Sequence, residues 1–138
     1  MIFLLGAAAY PLLELAYRGR THPSMALAGG ISAVLLRCIS RKDRPLWQQA
    51  LLGGLAITGV EYVIGKAFNR RYRIWDYRCA PLNVQGQICL PFTLVWCGLS
   101  AAAIGGLRLW DRRQVLARCH RFSICRMRSR GSSPSREE

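Results

Sequence analysis

The sequence predicts an all-α polytopic membrane protein of about four transmembrane helices, with a structured loop between the third and fourth. Three observations carry this. Apolar residues collect in four blocks, at 1–17, 25–40, 46–65 and 87–107, and about 20 apolar residues cross a bilayer core, fewer where the bilayer thins. Short basic connectors separate the blocks, as positive-inside topology and anionic headgroups require. Small residues recur at helical spacing within the blocks, so that helix backbones can approach closely.

The bulk composition alone does not separate this reading from a soluble one, because 51% hydrophobic content suits a globular fold. Its distribution decides, since helices this apolar would aggregate in water. The length of 138 residues bounds one domain. It is read as a helical bundle over 1–110 followed by a basic cytoplasmic tail over 111–138. The formal charge of +13 would suit nucleic acid. The arginines flank apolar helices, however, so membrane lipids are the expected partner and nucleic acid is not.

The first block carries Glu14 in "LLELAYRG", with Arg18 one turn later. That i,i+4 spacing suits an ion-pair clamp at the membrane boundary. The block lacks a basic leader and three further blocks follow, so it is read as a retained helix rather than a cleaved signal peptide. The second block places Ala26, Gly30 and Ala33 on one face and ends at Arg37.

The third block aligns Gly54, Thr58, Glu61 and Gly65 on one stripe. A charge at the centre of a span costs roughly 2.5–3.5 kcal/mol on insertion scales, so Glu61 must face protein or water. It is expected to be protonated, or paired with an arginine of another helix such as Arg37. The fourth block offers a ladder of Gly98, Ala102 and Gly106.

Between the last two blocks runs "RYRIWDYRCAPLNVQGQICLPFTLVW". Tyr72, Trp75 and Tyr77 suit an interfacial aromatic belt. Pro81 and Asn83 promote a turn, and Gly86 relaxes the backbone before the fourth helix. Asp76 is expected to pair with a neighbouring arginine, and Gln85 and Gln87 to bond backbone groups at the helix start.

Counting Lys and Arg by side gives thirteen on the side of both termini and seven opposite. The expectation is a multi-pass protein of the bacterial inner membrane with both termini in the cytoplasm. In the tail, Leu109, Leu116, Cys119 and Phe122 fall near helical spacing, which suits either a basic helix lying on headgroups or a solvated tail. The last ten or so residues are expected to be disordered.

No catalytic residues and no cofactor are assigned. "GKAF" at 65–68 lacks the upstream glycine and the Ser/Thr of a phosphate loop, and neither a G-x-S-x-G elbow nor H-E-x-x-H occurs. A membrane enzyme would require Asp76, Asn83 and Glu61 to converge. The six cysteines show no zinc spacing, the Cys119–His120–Cys125 group included, so no metal is assigned. Cys79 is the one cysteine in an outer connector, and a disulfide from it to Cys89 is conceivable without any sequence signal for it.

"WDY…PLN", "VQGQICLPFTLVW" and the preceding "GVEYVIG" resemble a small bacterial integral-membrane family, the ABC-transporter permeases of CmpB type, also labelled "type IV". "LLELAYRGRTHPSMALAGG" resembles that family's first hairpin, with Glu14, Arg18, Gly19, His22, Met25, Gly29 and Gly30 in matching places. The resemblance covers roughly 5–107, and the arginine-rich tail departs from it. It implies a permease-like transport component, a separate ATP-binding subunit and self-association. The motif positions carried here are Glu14, Arg18, Glu61, Trp75, Asp76, Tyr77, Asn83, Gly86 and Cys89, with no catalytic or binding role attached to any. The alternative is a non-transporting scaffold or accessory subunit that binds a protein partner or anionic lipid.

Overall fold

The computed structural model describes residues 1–41 and 43–130, and the side chains among them as far as Val115. Within that range the chain forms α1 (Ile2–Arg18), α2 (Pro23–Ser40), α3 (Leu46–Phe68), a short hairpin of β1 (Asn83–Val84) and β2 (Ile88–Cys89), and α4 (Leu90–Arg130). Met1–Gly105 is one compact unit and Gly106–Glu138 a second. The expectations for Leu116, Cys119, His120, Phe122 and Cys125, for the charge of Lys42 and for the chain end beyond Arg130 lie outside the described residues.

Among the described residues, three helical segments are long and apolar enough to cross a bilayer: Pro23–Ser40, Leu46–Phe68 and Leu90–Val115. At 1.5 Å per residue, the 17 residues of α1 are roughly 26 Å long, slightly less than the ~30 Å hydrocarbon core. Length and composition therefore support three of the four expected spans.

The connection between α1 and α2 is set by local chemistry. Gly19 ends α1 in the left-handed region (φ 69°), where its N–H bonds Leu15 O at 2.8 Å. A Cβ there would be strained. His22 then caps α2, its Nδ1 accepting from the Ser24 N–H at 3.2 Å, and Pro23 occupies the first turn, where its missing N–H costs nothing.

Close helix contacts follow the small residues, though not always those the spacing suggested. A Cβ on Gly29 would strike the Gly6 carbonyl and the Tyr10 Cβ, and one on Gly30 would strike the Phe3 ring. The α2 face is thus built on Gly29 and Gly30, with Ala33 closing against Gly6. On α3, Gly54 admits Cys97 and Gly53 admits Leu36 and Ser100. Thr58 meets Thr93, Oγ1 to Oγ1 at 3.2 Å.

The ladder expected on α4 points elsewhere. Gly98 and Ala102 are exposed, and a Cβ on Gly98 would meet nothing within 4 Å, while Gly106 belongs to the second unit. The inward face is instead Thr93, Trp96, Cys97, Ser100 and Ile104, the last two completely buried. Spacings of three, four and seven residues identify a face, but two faces of α4 are rich in small residues. The partner helices choose between them.

The first unit is apolar outside and partly polar inside. Leu4, Leu12, Leu55, Val63 and Leu94 are exposed, whereas Ser24, Ser32, Gln49, Thr58, Glu61, Asn69 and Ser100 are buried. In water an exposed apolar surface of that kind would drive association. In a bilayer it is the surface lipid covers.

Candidate functional site

The loop after α3 is fastened to the end of that helix by Asn69, which is 1% exposed. Asn69 Nδ2 donates to Trp75 O at 2.6 Å and to Gln87 Oε1 at 3.3 Å, and its Oδ1 accepts from the Ile74 N–H at 2.9 Å. Gln87 Nε2 returns a bond to Asn69 O at 3.2 Å, and the Trp75 indole donates to Gln87 O at 2.8 Å. A Cβ on Gly65 would collide with the Gln87 side chain, so glycine there lets the loop sit down on α3. Trp75 is consequently buried rather than part of an interfacial belt. Gln87 serves this knot rather than the start of α4.

The rest of the loop closes on itself. β1 and β2 pair antiparallel, with Asn83 opposite Cys89 and Val84 opposite Ile88. Gln85 (φ 52°) and Gly86 (φ 64°) form the turn, with Gln87 N bonding Val84 O at 3.1 Å. Positive φ at both central positions is the type I′ signature. Asn83 donates to Arg78 O and Ala80 O at 3.2 and 2.9 Å, and accepts from the Gly86 N–H at 3.1 Å. Gln85 Oε1 accepts from Lys66 Nζ at 2.7 Å and Tyr62 Oη at 3.1 Å, again away from the start of α4. Asn83, Gln85 and Gly86 are therefore loop-building residues.

Asp76 receives Arg78 in a forked pair, Arg78 Nε at 2.9 Å and Nη2 at 2.7 Å, and the guanidinium lies 4.4 Å over the Tyr72 ring. These bonds hold the Asp76 carboxyl below its usual range, and Asp76 in turn raises Arg78. Cys79 and Cys89 are both free, Cys79 exposed and Cys89 buried, so a disulfide between them does not form.

Beneath this loop, between α1, α3 and the first turns of α4, lies a partly open cavity of about 560 Å³. Glu14 and Arg18 line it from α1, Glu61 from α3, Trp75, Asp76 and Tyr77 from the loop, and Phe92 and Trp96 from α4. Glu61 is 5% exposed. It accepts from the Tyr10 hydroxyl and, at 2.7 Å, from the Trp96 indole N–H. Tyr10 and Trp96 stack on each other with centroids 5.3 Å apart. The arginine partner expected for Glu61 is thus replaced by two neutral donors.

Glu14 and Arg18 do form their ion pair, and each has a second bond. Thr21 Oγ1 donates to Glu14 Oε2 at 2.7 Å, and Arg18 Nη1 donates to Ile74 O at 3.0 Å. Arg18 thereby ties α1 to the loop. Tyr77 stacks on Phe92 at 4.8 Å, and Tyr17 meets Phe92 edge-on at 6.3 Å. Burial pushes the Tyr77 phenol above its ordinary range. Among the described residues, no three His, Cys, Asp or Glu side chains gather as metal ligands.

The cavity brings together Glu14, Arg18, Glu61, Trp75, Asp76 and Tyr77 from the motif residues, and excludes Asn83 and Gly86. Cys89 is buried beside it without lining it. Sequence reasoning missed Tyr10 and Trp96, which hold Glu61. Their only signal was an amphipathic aromatic inside each apolar block.

A family model described as "Putative ABC-transporter type IV" matches residues 15–120. The chain belongs to that CmpB-type family. No curated protein and no solved structure matches it. The match takes in Arg18, Glu61, the whole loop and Trp96, and begins one residue after Glu14. Tyr10, which completes the Glu61 triad, therefore lies outside the matched span.

Proposed function

We propose that this CmpB-type protein is the membrane-embedded component of a transporter, with the cavity around Glu61 as its substrate path and the 72–87 loop as the outer cover. The observation that carries this reading is a buried carboxylate facing a partly open cavity within an apolar bundle. An intramembrane acid is costly to insert and marks a pathway or polar site by default. Glu61 is the polar group of that path. The Glu14–Arg18 pair sets the position of the loop through Ile74, and Trp75, Asp76 and Tyr77 form the mouth.

In this reading the chain performs no catalysis, and a separate ATP-binding subunit supplies the energy. Four helices are few for a permease, so the chain works as a homo-oligomer. Positive-inside bias places both termini in the cytoplasm and the loop outside. All four helices then cross the inner membrane, the shorter α1 by local thinning of the bilayer.

Purification from native membranes in mild detergent tests the assembly. The expected result is a complex containing a nucleotide-binding subunit whose ATP hydrolysis rises when this chain is present. A preparation holding only scaffold-type partners, with unchanged solute fluxes in a deletion strain, would replace transport by the accessory role.

A further inference from the structure

The cavity differs from the rest of the chain in charge. The protein carries 20 Lys and Arg against 7 Asp and Glu, yet the cavity is lined by three carboxylates, Glu14, Glu61 and Asp76, and one guanidinium, Arg18. Two of those carboxylates already have a cation, since Arg18 is paired with Glu14 and Arg78 with Asp76. Glu61 takes its bonds from a phenol and an indole. The remaining lining is mostly aromatic, with Tyr10, Tyr17, Trp75, Tyr77, Phe92 and Trp96 on its wall. Aromatic rings around a carboxylate recognise cations whose own surface is apolar, through ring quadrupoles and one opposite charge. A small hydrated metal ion would have to exchange its water for carboxylate oxygens that are already bonded to Arg18, Thr21, Tyr10, Trp96 and Arg78.

Resting on the transport reading, the geometry points to a lipophilic organic cation, an ammonium or phosphonium bearing apolar groups, as the class of compound this cavity takes. Its charged centre sits at Glu61, and its apolar groups lie among the six rings. A volume of about 560 Å³ admits a drug-sized molecule. The Glu14–Arg18 pair presents no net charge to it.

The test uses the full chain in dodecylmaltoside with radiolabelled tetraphenylphosphonium, measured by scintillation proximity. The expected result is saturable binding, displaced by unlabelled probe at least ten-fold more effectively than by the anion tetraphenylborate or the neutral triphenylphosphine oxide. Glu61→Gln is expected to weaken binding at least ten-fold and Tyr77→Leu several-fold, whereas Val63→Ala on the lipid-facing surface leaves it unchanged. The comparison of charge sign on the unaltered chain stands even if a variant fails to fold. Equal displacement by the neutral compound, tighter binding of the anion, or an unchanged affinity in Glu61→Gln would each overturn the inference. Loss of transport in Glu61→Gln without cation binding defeats this inference alone. Cation binding with transport intact in Glu61→Gln defeats the transport reading alone.

Discussion

Trp96 of α4 donates its indole N–H to Glu61 of α3 at 2.7 Å across 35 residues of sequence. With Tyr10 of α1 on the other oxygen, one carboxylate joins three helices at a single point. Its burial is tolerated because its oxygens are bonded, and the same bonds fix where the acid faces the cavity.

Tyr10→Phe retains the stack on Trp96 and removes one donor to Glu61. Hydrogen bonds inside membrane proteins average near 0.6 kcal/mol, and an unsatisfied buried acceptor costs more. A loss of about 1–2 kcal/mol is expected, read from the SDS unfolding midpoint in mixed micelles. Combined with Glu61→Gln, the two effects should be non-additive, because both remove the same contact.

Gly29→Ala is expected to destabilise the α1–α2 contact strongly, because the new Cβ meets the Gly6 carbonyl and the Tyr10 Cβ. Gly98→Ala meets nothing within 4 Å and should be neutral. Folded yield after detergent extraction separates the two. Equal tolerance at both positions would contradict the assigned faces.

Asn69→Ala removes bonds to Trp75 O, to the Ile74 N–H and to Gln87. A cost of about 2–3 kcal/mol is expected from the unsatisfied groups it leaves, with a red shift of Trp75 emission and faster tryptic cleavage at Arg73 and Arg78.

The Asp76–Arg78 pair predicts a pH dependence confined to acid. Asp76 is held below its ordinary value of 3.8, so its contribution to loop order is complete above that value and is lost as pH falls through the lower folded-state value. The pair is solvent-exposed, so the effect is small. Loop order followed by Trp75 emission should be flat from pH 7 to 5 and fall below pH 4, and Asp76→Asn should abolish that acid step.

Much of the architecture was legible because it rests on local periodicity. The four helices, the i,i+4 pair of Glu14 and Arg18, the Asp76–Arg78 pair and the inward stripe of α3 all follow from spacings within a few residues. What could not be read depends on which helices become neighbours. Two small-residue faces of α4 compete, and only the packing of Gly53 and Gly54 against Ser100 and Cys97 selects one. Glu61 was expected to be protonated or paired with an arginine, and its partners are neutral groups on other helices. The Asn69–Gln87 knot joins residues 18 apart with nothing local to announce it. Gln-Gly at a type I′ turn lacks the usual Asn-Gly signal, so the hairpin went unpredicted.

If a solute passes through the Glu61 cavity, its distribution across the membrane depends on that carboxylate. The most direct measurement compares untargeted solute profiles, inside and outside cells, for the wild type, a deletion strain and a Glu61→Gln strain with equal amounts of protein in the membrane. Glu61→Gln is expected to reproduce the deletion profile for the same compounds. A Glu61→Gln profile indistinguishable from the wild type, alongside a deletion profile that differs, would contradict it.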